Sequence, residues 1–270
     1  MLAHERQAII LDLLQKNRVI KISDISSRFG VSTLTARRDL DVLQNQNLVR
    51  RVYGGAILLS DSSSTPASSP AYLPDHRGRN LRTEKEAIGK LAASMVREGD
   101  ILFLGSGTTI LEVARNIRHM SNLTIISGSL AVINELASTN NSIHILGGLL
   151  DSSEHSVTGS LANSMLESFC ADKVFISCDG FSLARGVTAY HPPGAEAGQI
   201  MMRNSAQSIL VCGSHKFGIN ALSVVCPLSS LDMIITDDGL SIEDRDSIRN
   251  LGVDLRLTET HADSTSERSL

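Results

Sequence analysis

Between Ile22 and Leu43 the apolar positions fall into two short helical periods broken by a glycine. Ile22, Ile25 and Phe29 recur at helical spacing, which predicts a helix with Ser23 as the N-cap whose hydroxyl takes up an orphan amide of the first turn. Gly30 predicts its end, because a residue without Cβ adopts the left-handed conformation common just past a helix C-terminus. Ser32 is then placed to cap a second helix. In that helix Ala36, Leu40 and Leu43 share one face at i, i+4 and i+7, so this face packs inward. Ile9, Ile10, Leu13 and Leu14 supply a preceding amphipathic helix. The following LVRRVYGGAILL reads as two short strands joined through Gly54-Gly55. Three helices and a hairpin predict a winged helix-turn-helix over residues 1–59.

Periodicity is lost from Ser60 to Pro74, where three prolines and six serines predict a flexible, exposed linker. From residue 75 to 258 short apolar runs alternate with amphipathic helices, the pattern of an α/β domain with a largely parallel, Rossmann-like sheet. The expected strands are Ile101–Leu104, Leu123–Ser127, Ser142–Leu146, Lys173–Cys178, Ser208–Cys212, Met233–Thr236 and Asp254–Leu257. The expected helices are Glu84–Arg97, Thr108–His119, Ser129–Ser138, Leu161–Phe169, Ala195–Ser205 and Ile242–Leu251. Residues 259–270 form a polar tail. No short-period internal repeat is present.

Charge divides with this organisation. Residues 1–59 carry nine Lys/Arg against five Asp/Glu, a net +4, which leaves −8 for the remainder of a chain whose formal charge is −4. A basic head on an acidic body presents one end to a polyanion rather than its whole surface. The 270 residues, 42% of them hydrophobic, are ample for two domains. No apolar run approaches the roughly 20 residues that span a bilayer, and the N-terminus lacks a signal-peptide pattern, so a cytoplasmic protein without a membrane partner is expected. Cys170, Cys178, Cys212 and Cys226 lack CxxC spacing and are read as buried, reduced thiols. The histidines show no metal-ligand pairing, and neither a metal nor a cofactor is assigned.

Outward positions of the second helix carry Thr33, Thr35, Arg37 and Arg38, hydroxyls suited to phosphates and guanidinium forks suited to phosphate or to the O6/N7 edge of guanine. On an isolated helix the same arginines would simply pair with Asp41 at i+3 and i+4; the helix-turn-helix context favours contact with double-stranded DNA, with Ser32 at the helix start. Arg50, Arg51 and Tyr53 on the wing would add affinity for the DNA backbone. In the α/β domain, function is sought at the carboxyl ends of the strands. There ILFL runs into GSGTT and a helix, so the amides of Gly107 to Thr109 converge on an anion, aided by the helix dipole and the hydroxyls of Ser106, Thr108 and Thr109. Ser127, Gly147-Gly148, and Lys216 as a point cation lie at neighbouring strand ends. Tight turns alone would also place glycines there; several such loops together point to a phosphorylated small ligand. A dinucleotide is excluded by the missing third glycine and the missing acid after LTIIS, and a phosphate loop by the absence of GKS or GKT.

The motif VSTLTARRDLDVL followed by LVRRVYGGA is similar to the signature of the DeoR family of bacterial transcriptional regulators. SGTT, Gly147-Gly148, DKVFISCDGF followed by GVT, KFG at Lys216 and ITD at Ile235 extend the resemblance from about Glu5 to Thr258. It implies a regulator, usually a repressor, whose second domain is related to ribose-phosphate isomerases and coenzyme A transferases and binds a sugar phosphate, with Asp179 at the family's acidic strand-end position. It also implies a homo-oligomer, dimer or tetramer. The chain departs from the family pattern at Gly105 and Gly213, where Asp is common, at Ala36, where Ile is usual, and at Tyr53, where His is usual. Asp179, Glu196 and His191 are the candidates to recognise ligand hydroxyls instead. The competing reading is an enzyme, a phosphosugar isomerase or acyl transferase with a regulatory head. Isomerisation needs a positioned acid/base pair, which the two glycines weaken.

Overall fold

The structure is a computed structural model that describes residues 3–17, 19–45, 48–52, 55–58 and 81–259. The segment read as a linker, 60–74, and the tail beyond 259 lie outside the described residues. The chain divides into two compact units, Met1–Ala67 and Ser68–Leu270.

The first unit runs α1 (Ala3–Asn17), β1 (Val19–Lys21), α2 (Ile22–Phe29), α3 (Thr33–Asn45), β2 (Val49–Val52) and β3 (Gly55–Leu58). Its three strands form an antiparallel sheet in the order β1-β3-β2. Ile10 and Leu14 of α1, Ile25 of α2, and Ala36, Leu40 and Leu43 of α3 bury the apolar faces read from periodicity, closed by Val49 and Ala56 of the sheet. Ile9 is exposed, leaving Ile10 and Leu14 as the buried face of α1. Gly30 has φ +62°, so it turns the chain between α2 and α3 in a conformation costly for other residues. Ser32 caps α3: its Oγ accepts from the Thr35 amide at 3.1 Å. Ser23 is not a cap. Helix α2 starts at Ile22, so Ser23 already lies in the first turn, and its hydroxyl donates to Asp24. Below the helices Arg6 grips Asp39 with Nε at 2.6 Å and a second guanidinium nitrogen at 3.1 Å, a fork that joins α1 to α3 and holds the Arg6 pKa above its ordinary value.

The second unit runs α4 (Leu81–Ala93), β4 (Ile101–Leu104), α5 (Thr108–Ile117), β5 (Thr124–Ser127), α6 (Leu130–Leu136), β6 (Ser142–Ile145), β7 (Leu149–Asp151), β8 (Ser156–Thr158), α7 (Ser160–Glu167), β9 (Ala171–Ile176), β10 (Gly180–Ser182), β11 (Gly186–Ala189), α8 (Pro192–Arg203), β12 (Ser205–Val211), β13 (Ser223–Cys226), β14 (Met233–Asp237), α9 (Ile242–Arg249) and β15 (Asp254–Thr258). Seven strands build one parallel sheet in the order β15-β14-β12-β9-β4-β5-β6. Alternation along the strands feeds two cores. Leu102, Leu104, Phe175, Ile209 and Val211 pack with Ile88 of α4 and Ile110 and Val113 of α5, whereas Phe103, Val174, Ile176 and Leu210 pack with Leu166 of α7 and Ile200 of α8. Burial on both faces explains why these strands read as continuous apolar runs.

Three departures from the sequence reading matter for the site. Strand β9 spans Ala171–Ile176 rather than Lys173–Cys178, which releases Ser177, Cys178 and Asp179 into a strand-end loop. Helix α8 begins at Pro192 rather than Ala195. Proline fits the first turn, where no amide is needed, and the His191 ring caps it by accepting from the Gly194 amide at 3.2 Å. Finally, the unit contains antiparallel additions: the β7-β8 hairpin and a small sheet ordered β10-β11-β13.

Candidate DNA interface and ligand site

In the first unit α3 follows the tight Gly30 turn and carries an exposed stripe of Leu34, Arg37, Arg38 and Asp41 opposite its buried face. Ser32 and Thr33 are exposed beside it. Thr35 is half-buried, and its hydroxyl lies 2.9 Å from that of Ser32, so it supports the cap rather than standing free for a phosphate. Leu34, 57% exposed, is a member of the stripe that sequence reasoning missed. The available signal was an apolar residue out of phase with Ala36, Leu40 and Leu43; such a side chain suits a thymine methyl. In the hairpin Arg50 and Arg51 pair across the ladder with Ile57 and Ala56, and Val52 pairs with Gly55. Gly55 thus already belongs to β3 rather than to the turn, and Tyr53 and Gly54 lie outside the described residues.

In the second unit the chain moves from β4 outward to β5 and β6, then returns to β9 on the other flank of β4 and continues to β12, β14 and β15. This reversal makes the gap between β4 and β9 a topological switch point, where crevices open at the carboxyl ends of parallel strands. Two loops border it. After β4, Gly105 extends the ladder by donating to the Phe175 carbonyl at 3.0 Å, Ser106 is exposed, and Gly107 takes φ +111° as the N-cap of α5 without a side-chain cap. The first amides of α5, including those of Thr108 and Thr109, therefore belong to a helix start that no side chain caps. After β9 come Ser177, whose Cβ lies 3.7 Å from where a Gly107 Cβ would stand, then Cys178 and the exposed Asp179. The Lys216 ammonium, beyond β12, donates to the Cys178 carbonyl and so reaches this gap from the next strand. Lys85 of α4 is brought to the same place; burial, then the neighbouring Lys216 charge, lower its pKa to about 8.

Other sequence candidates make contacts within the fold. Ser127 is fully buried, donating to the Leu104 carbonyl at 2.8 Å and accepting from the Ser129 amide at 3.1 Å. Thr109 is 2% exposed. The Gly147 amide points at the Met165 sulfur at 3.1 Å, and a Cβ on Gly148 would fall 2.6 Å from the Thr158 carbonyl, so this pair admits the β7-β8 hairpin against the sheet. That hairpin brings in acids the sequence reading passed over. Asp151 accepts from His191 at 2.8 Å, and its carboxyl is held below the ordinary range by the Ser153 hydroxyl and by nearby amides. Glu154 is drawn up by desolvation of its carboxyl, then by Asp179. Asp179 itself accepts from the Tyr190 amide at 2.8 Å. This end of the sheet is thus cationic toward Lys85 and Lys216 and acidic toward Asp179 and Glu154. Glu196, the remaining hydroxyl-binding candidate, is exposed on α8. All four cysteines are free; Cys178, Cys212 and Cys226 are buried, with burial pushing Cys226 up to about 12, whereas Cys170 is exposed, contrary to the buried reading. Among the described residues no group of His, Cys, Asp and Glu is arranged to hold a metal, and no helix is long and apolar enough to cross a membrane.

A helix-turn-helix unit joined to an α/β unit with charged and polar groups at its strand ends is the plan of a DNA-binding regulator with a sensor domain. Residues 6–62 match the DeoR-like helix-turn-helix domain and residues 80–238 the DeoR C terminal sensor domain: the chain belongs to the DeoR family of transcriptional regulators. It is 34% identical over 243 residues to the uncharacterized HTH-type transcriptional regulator YgbI of Escherichia coli K12, covering 89% of this chain and 92% of that one. It is 32% identical over 237 residues to the transcriptional repressor AccR of Agrobacterium fabrum, covering 87% and 90%. Among solved structures, ribose 5-phosphate isomerase A of Methanocaldococcus jannaschii matches with a TM-score of 0.39 at 14% identity over 52% of this chain and 55% of that chain.

Proposed function

We propose that this regulator is a cytoplasmic repressor of a carbohydrate or polyol catabolic operon, released from its operator by a phosphorylated metabolite. The ligand phosphate sits on Ser106, Gly107 and Thr108 with Lys216, and its hydroxyls lie toward Asp179. The observation that carries the reading is the start of α5, free of a side-chain cap, beside a lysine at the switch point between β4 and β9. The repressor sense is supported by AccR. A head of this size offers few phosphate and base contacts, so two heads act together in a homo-oligomer, dimer or tetramer, on half-sites near 34 Å apart or a multiple of it. The second domain senses rather than catalyses.

One experiment tests both ligand and role. The protein is titrated with matched pairs of free and phosphorylated sugars and polyols, following melting temperature, turnover and operator release. A phosphorylated member raises the melting temperature and releases DNA without being consumed, with a coupling of about 1–3 kcal/mol. Equal affinity for a free sugar and its phosphate overturns the phosphate site; turnover establishes an enzyme.

A further inference from the structure

We propose that Lys85 is a second cation of the ligand site, set beside Lys216 at the GSGTT loop, and that together they select a dianionic phosphate monoester over singly charged anions. The proposal rests on the GSGTT loop being the phosphate site.

Helix α5 leaves the carboxyl end of β4, and α4 is joined through residues 94–100 to the amino end of the same strand, so both helices start at the carboxyl-end side of the sheet and run the same way. They meet at Gly89. A Cβ there would lie 2.4 Å from the Glu112 Cβ and 2.7 Å from the Glu112 carbonyl carbon, so this contact fixes the register of α4 on α5. One turn toward the start of each helix lie Lys85 and Thr108. Lys85, half-buried, therefore stands alongside the first residue of α5, at the end of the sheet where Lys216 reaches the Cys178 carbonyl.

Glu84 on the same helix and Glu112 on α5 favour the Lys85 ammonium, but burial and Lys216 outweigh them and bring its pKa to about 8. Helix α4 also packs on β12, β14 and β15. The charged groups there are Asp237, which accepts from the Ser214 amide and hydroxyl and the Gly239 amide, and Asp254, which pairs with Arg256; Asp238 and His215 lie in the adjoining loops. Beside Lys216 and partly desolvated, the Lys85 ammonium is disfavoured until an anion enters, and a dianion, with twice the charge, favours it more strongly than a monoanion does. The linkage has a definite sign. In the free protein Lys85, with its pKa at about 8, loses its proton as pH rises through that value, and a bound dianion favours its ammonium form, so binding takes up a fraction of a proton that grows as pH rises through 8.

The test is calorimetry of the full chain with methyl phosphate, a dianion, and dimethyl phosphate, a monoanion, at pH 8.5 in two buffers of different ionisation enthalpy. The wild type binds methyl phosphate with proton uptake and dimethyl phosphate at least about tenfold more weakly. Lys85→Gln loses about tenfold or more in methyl phosphate affinity and all of the uptake. Lys85→Arg keeps the binding but loses the uptake, because arginine does not titrate in this range. Uptake retained in both variants overturns the role of Lys85. Should Lys85→Gln fail to fold, judged by circular dichroism, Lys85→Arg alone decides. Unchanged Lys85→Gln binding, beside a Thr108→Asp variant that binds nothing, removes Lys85 but keeps the loop. No methyl phosphate binding by the wild type removes both.

Discussion

On α3 the guanidinium of Arg38 and the side chain of Leu34 share the exposed stripe that a groove would meet, while Arg50 lies on the hairpin ladder opposite Ile57. The two arginines serve different purposes if α3 enters the major groove: one reads a base edge, the other holds backbone. Arg38→Ala is expected to cost about 1–3 kcal/mol on the specific operator and to relax preference at one base pair, whereas Arg50→Ala weakens all sequences alike. Gel-shift titrations on operator and scrambled DNA check this; equal losses on both DNAs for Arg38→Ala refute the base contact. At this scale the sequence is legible wherever a role follows from neighbours in the chain. Gly30, Ser32 and the Ala36, Leu40, Leu43 face follow from spacing alone. The Arg6–Asp39 fork joins residues 33 positions apart, and Lys85 feels the charge of Lys216, far along the chain. Single-residue patterns carry no information about such pairings.

Helices and central strands follow from periodicity because each has a face to bury, and their ends shift by a few residues where a local cap decides. The β7-β8 hairpin and the β10-β11-β13 sheet were not legible, since LLD, SVT, GFS, GVTA and SVVC show no period and do not alternate with amphipathic helices, the context that marked equally short strands such as β4 and β5. The hairpin is why Asp151 and Glu154 were overlooked as neighbours of Asp179 and His191. The contact between α4 and α5 likewise leaves only a glycine as its trace. In an isolated helix Gly89→Ala would stabilise by about 1 kcal/mol. Here the new methyl meets the backbone of Glu112, which cannot swing aside, and overpacking costs about 1–3 kcal/mol. We expect Gly89→Ala to lower the urea midpoint of the second unit and to weaken methyl phosphate binding as α4 is pushed off α5. A raised midpoint with unchanged binding would show that the close approach is not held in solution.

Across the whole molecule, net charge of +4 on residues 1–59 and −8 beyond them separates a basic helix-turn-helix head from an acidic sensor unit. Each unit has its own core, one around Ile25 and Leu40 and the other on both faces of the seven-stranded sheet. A change confined to the proposed ligand site should therefore leave the folded head and its operator contacts intact and remove only the response to ligand. Thr108→Asp makes that separation testable. It places a carboxylate at the first residue of α5, where the amides and Lys216 would otherwise receive a phosphate; like-charge repulsion then opposes the ligand while the added acid suits the helix start. The variant should bind operator with affinity near that of the wild type and remain bound at ligand concentrations that release the wild type. Linkage sharpens the expectation, because an effector releases DNA only as far as it favours the state that does not bind DNA, and a protein that cannot bind the effector has no such preference to express. Gel shifts with and without effector, beside calorimetry of effector binding, decide it. If Thr108→Asp lost operator affinity together with ligand binding while remaining folded, the start of α5 would be coupled to the DNA-binding state itself.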